Sequence, residues 1–139
     1  MRIMRRIGIR VSAIIIKSKK VLLIHRKRVG KEYWVFPGGK VEASESCEEA
    51  LAREVKEETN LDVKSSKLAF RSVNELNGKS YPFYLCDVTD GIPEIIGEEK
   101  DSQSKRNWYH LEWIEMPNVN DLNLVPKNAK RMFLRKFVI

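Results

Sequence analysis

The chain has 139 residues, of which 42% are hydrophobic and 32% charged, a balance that suits one globular domain over residues 1–139 and leaves no room for a second full domain. Long disorder and a membrane protein are excluded by the same balance, since no apolar run reaches transmembrane length. The formal net charge of +7 at pH 7 admits nucleic acid, an anionic surface or a small polyanionic substrate as partner, and charge alone does not choose among them.

The basic stretch Met1 to Arg10 is followed by Ile14, Ile15 and Ile16, but Lys17, Lys19 and Lys20 end the apolar run too early for a secretion signal. It reads as a first strand, and the protein as cytoplasmic with no membrane partner. Ile9 to Lys17 and Lys20 to Arg26 predict two β-branched strands joined by a polar hairpin turn. Trp34 to Phe36 then ends a short strand at Pro37-Gly38-Gly39, where proline fixes one dihedral and the glycines permit others. A helix follows from Ser44, an N-cap residue, to Asn60, a left-handed terminator. Lys67 to Leu76 and Tyr81 to Val88 predict strands around the turn Asn77-Gly78, and Trp108 to Ile114 a further one. Pro126 opens a last helix, whose Ala129, Met132, Phe133 and Phe137 form a core-facing stripe. Cys47 and Cys86 form no CxxC pair, so neither zinc nor a disulfide framework is expected, and both read as buried thiols.

The helix Ser44 to Asn60 carries the chemistry. At about 100° per residue, Cys47, Ala50, Leu51 and Val55 cluster on one side. Glu54 and Glu58 fall within that apolar sector, one turn apart, and Glu57 lies at its edge, whereas Glu48, Glu49 and Lys56 point elsewhere. Like charges beside a core are costly unless a cation or donor compensates them, and oxygen-rich clusters are what Mg²⁺ or Mn²⁺ prefers. A charged helix whose glutamates simply pair with basic neighbours is the alternative, with Arg53 in a surface pair with Glu49 or Glu57.

Gly39, five residues, Glu45, seven residues, Arg53-Glu54-Val55, one residue, Glu57-Glu58, one residue and Asn60-Leu61 together closely resemble the Nudix box. Its one departure is Asn60, where the family has glycine, and asparagine is the next most tolerant residue for a left-handed helix end. The clear resemblance covers Tyr33 to Val63. It implies an α/β fold, a Nudix-type α/β/α sandwich with a mixed β-sheet, and hydrolysis of a pyrophosphate bond in a nucleotide-like substrate.

By the same resemblance Glu54 and Glu58 are the principal ligands of Mg²⁺, for which Mn²⁺ is a substitute, with Glu57 a further or water-mediated ligand and the Gly39 carbonyl an additional oxygen. Arg53 orients the glutamates, and Glu45 holds the loop against the helix. The cation neutralises diphosphate charge while water attacks in line, and a general base takes its proton. Nudix enzymes draw that base from the box, here Glu57, or from a distal loop, here Glu98 ahead of Glu99. Gly38, Gly39 and Lys40 are candidates for the phosphates, and Tyr33 for stacking on a base, although aromatic strand residues are more often core.

The variable loops decide the substrate. Asn74, Glu75 and Leu76 stand where the ADP-ribose branch has a proline, and the tyrosine of dinucleoside polyphosphate hydrolases is missing. A nucleoside triphosphate, including oxidised dNTPs, is therefore the expected small-molecule substrate. An RNA-end pyrophosphohydrolase or decapping-type enzyme ranks second, with nucleic acid as its partner, and a catalytically silent nucleotide-binding module third.

Overall fold

The computed structural model describes residues 8–94 and 107–138. Strand β1 (Arg10–Lys17) turns into β2 (Lys20–Arg28) through Ser18 and Lys19 at φ 51° and 64°. A two-residue loop with both φ positive matches the right-handed twist of its strands, and Val29 and Gly30, at φ 48° and 77°, repeat it before β3 (Lys31–Val35). The short β4 (Gly38–Lys40) leads to helix α1 (Cys47–Thr59), β5 (Val63–Val73), β6 (Ser80–Val88) and β7 (Asn107–Glu115). A 3-10 turn (Met116–Asp121) and helix α2 (Lys127–Phe133) follow.

The strands form one seven-stranded mixed sheet in the order β3-β2-β1-β6-β5, with β4 on β1 and β7 on β2. All pairs are antiparallel except β1 with β6. Strand β1 changes partner along its length. Arg10 to Ser12 pair with β4, whereas only Ile16 and Lys17 reach β2. Strands β2 and β3 therefore diverge from β1 and β4 beyond the hairpin, and a wedge opens between them.

Side-chain alternation splits the core into two layers. Val11, Ala13, Ile15 and Leu22 pack with Ala50, Leu51 and Val55 of α1 on one face. Ile14, Val21 and Leu23 pack with Ala129 and Phe133 of α2 on the other. This is the α/β/α arrangement expected from the sequence, with its mixed sheet. Among the described residues no helix is long and apolar enough to cross a membrane. Cys86 is buried and Cys47 half-buried, both free, and burial pushes the Cys86 thiol up to about 12.

Three expectations are corrected. The helix starts later than Ser44, because Ser46 is its N-cap and closes a capping box with Glu49. Strand β5 begins at Val63 and ends at Val73 rather than running from Lys67 to Leu76. Asn74 organises the turn that follows, its Oδ1 accepting from the backbone N–H groups of Leu76 and Asn77. Strand β4 was not expected at all, since three residues centred on two glycines carry no strand signal. Asn60 does end the helix in the left-handed region, at φ 62°.

Ser46→Ala removes the hydroxyl that accepts from Glu49 N–H, and urea unfolding should report a loss of about 1 kcal/mol. Ser44→Ala should change stability by less than about 0.5 kcal/mol. Equal losses in both would place the cap at Ser44 after all.

Candidate active site

Helix α1 lies against β4 so that its glutamates meet the Gly38-Gly39 backbone. A Cβ added at Gly39 would stand 2.3 Å from Cδ of Glu54 and within 2.6 Å of both its carboxylate oxygens. Only glycine lets the strand and the carboxylate come this close. One turn on, Glu58 Oε1 accepts a 2.6 Å hydrogen bond from Gly38 N–H. Gly38 is equally constrained on its other side, where a Cβ would stand 2.1 Å from the Val11 carbonyl oxygen. The glycine pair thus joins β1 to the two carboxylates.

Glu54 is only 14% exposed, whereas Glu57 is 52% exposed. The apolar sector assigned to Glu54 and Glu58 on the helical wheel is therefore present, with Glu57 at its solvent edge. Two partly buried carboxylates one turn apart, backed onto a glycine strand, offer hard oxygen donors of the kind a small divalent cation requires. A side chain at Gly39 would occupy the place of the Glu54 carboxylate, so the hard-oxygen donor types and their glycine backing fit such an ion.

Arg53 fixes this arrangement. Its guanidinium donates to Glu45 through Nε at 2.7 Å and Nη2 at 2.8 Å, to Glu54 Oε1 at 2.8 Å, and to the Lys40 carbonyl at 3.0 Å. The contact with Glu57 is looser, at 3.4 Å. Of the surface pairs weighed from the sequence, Arg53 makes the one with Glu57, while Glu49 closes the capping box. Glu45 also accepts from Glu42 N–H. Hydrogen bonding from Arg53 holds the Glu45 carboxyl down at about 2, and Glu45 in turn raises the guanidinium above its ordinary value.

Beside Glu58 the wedge forms a narrow cleft lined by Arg10, Ile24, Arg26, Gly38 and Tyr109. Among the described residues, Arg26 Nε is the buried side-chain nitrogen that lacks a hydrogen-bond partner, and its guanidinium lies 4.9 Å from the Tyr109 ring centroid. Arg10, Val35 and Phe36 also line an adjoining cavity of about 300 Å³, where Ser72, Asn74 and Phe83 add polar and aromatic surface.

Of the residues singled out in the sequence, Gly38, Gly39, Arg53, Glu54, Glu57 and Glu58 come together. Lys40 joins them through its carbonyl, while its side chain is exposed. Tyr33 pairs across from Arg26 and lines a surface with Arg28, Lys31 and Asn123, and it is not among the residues lining the cleft beside Glu58. Glu98 and Glu99 lie outside the described residues. Basic residues near the first sheet were expected at the phosphates without any being named, and the cleft beside Glu58 brings Arg10 and Arg26 there.

The NUDIX domain family model matches residues 6–133, and the chain belongs to the Nudix hydrolase family, whose members generally use divalent metal ions. It is similar to Nudix hydrolase 2 of Arabidopsis thaliana, with 31% identity over 126 residues, which is 86% of this chain and 45% of that protein. It is also similar to the RNA pyrophosphohydrolase of Haemophilus influenzae, with 32% identity over 108 residues, covering 77% of this chain and 51% of the relative. The chain spans about half the length of these curated relatives. Among solved structures, the MutT Nudix hydrolase of Burkholderia pseudomallei superposes with a TM-score of 0.66 at 27% identity, covering 94% of this chain and 97% of that one.

Folded Glu45 takes up its proton near 2 rather than at 4.5. Its pairing with Arg53 therefore stabilises the fold fully above pH 4.5, and that stability is lost as pH falls from there towards 2. Glu45→Gln should be less stable than wild type at pH 7, and its urea midpoint should fall less steeply across that acid window. Parallel pH profiles for the two proteins would show that Glu45 is not the titrating partner.

Proposed function

We propose that this protein is a divalent-metal-dependent pyrophosphohydrolase acting on a nucleoside triphosphate or a related nucleoside diphosphate derivative, oxidised dNTPs included. The observation that carries this reading is the close approach of the Glu54 carboxylate to Gly39, with Glu58 bound to Gly38 N–H one turn away. Glu54 and Glu58 would hold Mg²⁺, or Mn²⁺ in its place, with the Gly39 carbonyl and Glu57 as further oxygen donors. When bound, the cation neutralises charge on the diphosphate and activates water at neutral pH.

The remaining work falls to the chain's own side chains. Arg53 keeps Glu54 aimed at the glycine strand and leaves Glu57 loosely held. Arg10 and Arg26 line the cleft beside Glu58, where guanidinium groups suit the fork geometry of phosphate oxygens. The unmet hydrogen-bonding capacity of buried Arg26 Nε favours an acceptor arriving in that cleft. The adjoining cavity, floored by the buried rings of Phe36 and Phe83, offers Tyr81 for stacking and Asn74 for the polar edge of a nucleobase. The proton released by the attacking water goes to Glu98, assigned on sequence grounds, with Glu57 second as the more exposed carboxylate of the box.

A second reading, hydrolysis at an RNA end, is supported by the RNA pyrophosphohydrolase relative and by the net charge of +7. A polymer substrate would give a steep salt dependence of binding and a mononucleotide a shallow one.

A phosphate- and pyrophosphate-release screen over nucleoside triphosphates, nucleotide sugars, dinucleoside polyphosphates and capped RNA separates these substrates. With the best of them, Glu54→Gln and Glu58→Gln should each lower kcat/KM by about 10²- to 10³-fold at limiting Mg²⁺, corresponding to several kcal/mol of charge stabilisation. Both variants should stay folded. Wild-type turnover in both would remove the box from the chemistry, and absence of turnover on the whole panel despite nucleotide binding would favour a silent binding module.

A further inference from the structure

The other face of the β3-β2-β7 ribbon carries a second cluster of ligating side chains. Neighbouring strand residues point to opposite faces, so His25 points away from the cleft that Arg26 lines, on the same side as Leu23. Strand register sets Trp34 of β3 and His110 of β7 directly across from it. Glu112, further along β7, brings its Oε2 to 2.6 Å from His25 Nδ1 and to 2.6 Å from His110 Nε2. One ligand atom from each of these three residues lies within 4.8 Å of the other two.

The surroundings hold these groups in place. His25 Nε2 is 2.8 Å from Glu32 Oε2, and Trp34 Nε1 donates to Glu112 Oε1 at 3.2 Å. Trp34 stacks on His25 with centroids 4.1 Å apart, and Trp108 stacks on His110 at 4.8 Å. A histidine that points one nitrogen at a metal and the other at a carboxylate is the usual supporting arrangement of protein zinc sites. His25 has a carboxylate oxygen against each ring nitrogen, yet a neutral imidazole carries only one N–H. One of its two contacts therefore requires an additional positive charge, supplied by a proton or by a metal.

We propose that His25 Nδ1, His110 Nε2 and Glu112 form a second metal site, selective for a borderline cation such as Zn²⁺ and separate from the carboxylate site of α1. Two imidazoles and one carboxylate make the donor set that zinc accepts, and Mg²⁺, which prefers oxygen, does not compete well for it. Ligand atoms around tetrahedral zinc stand about 3.3 Å apart for bonds of about 2.0 Å. The 2.6 Å contacts thus open slightly as the cation enters. His110 is 53% exposed, which provides the entry path and a fourth position for water. The bound ion would clip β7 to β2.

The 139-residue chain, stripped of transition metals and held in excess Mg²⁺, is titrated with Co²⁺ as the spectroscopic probe to test this. One equivalent should produce the visible absorption of four-coordinate Co²⁺, and one equivalent of Zn²⁺ should abolish it. His110→Ala should lose the band while keeping Mg²⁺-dependent turnover and the wild-type circular dichroism spectrum. Glu54→Gln should keep the band, which separates this site from the one proposed on α1. Glu32→Gln, which alters only the group behind His25, should weaken binding by about 10- to 100-fold. A wild-type protein without the band, or a band that survives in His110→Ala, overturns the proposal.

Discussion

The guanidinium of Arg53 is the contact on which the site's geometry depends. It bonds to Glu45 in the loop before α1, to Glu54 on the helix and to the carbonyl of Lys40 at the end of β4. Three separate pieces of chain thereby share one planar donor. Lysine could not do the same, because a point-like ammonium lacks the fixed fork that engages both Glu45 oxygens at 2.7 and 2.8 Å. With Glu54 held this way, the glycine at position 39 becomes obligatory, and Gly38 can offer its N–H to Glu58. The ordering of two like-charged carboxylates beside an apolar core follows from these few bonds.

The second constraint is topological. Because β1 pairs with β4 near its start and with β2 only at its end, the sheet opens where the box helix delivers its glutamates. Arg10, Arg26 and Glu58 line one narrow cleft at this wedge, so positive side chains and a box carboxylate share it. Such a gap suits a ligand that carries negative charge and brings a cation with it. A larger cavity adjoins the cleft behind Phe36.

Much of this was legible in the sequence because the box is local. Helical periodicity alone put Glu54 and Glu58 on the apolar side, and Asn60 ends the helix at positive φ as its residue type suggests. The cap was misplaced by two residues because Ser44 and Ser46 are equally good acceptors, and only the reciprocal bond with Glu49 distinguishes them. Features that depend on strand pairing were not legible. Arg26 pairs with nearby Tyr33 of β3 and with distant Tyr109 of β7, and nothing in its local sequence marks it for the cleft beside Glu58. His25 and His110 likewise meet only through the register of β2 with β7. Tyr33 was chosen for its ring, yet it lines a surface near Asn123 and not the cleft beside Glu58.

The central claim, that the carboxylates of α1 and the backbone of Gly39 bind a divalent cation, is tested most directly by anomalous diffraction from crystals grown with Mn²⁺. The account predicts a difference peak bonded to oxygens of Glu54, Glu58 and the Gly39 carbonyl, at about 2.0–2.3 Å, with Arg53 still bridging Glu45 and Glu54. Fully occupied manganese elsewhere on the surface, with Glu54 and Glu58 bound only to Arg53 and Gly38, would contradict it.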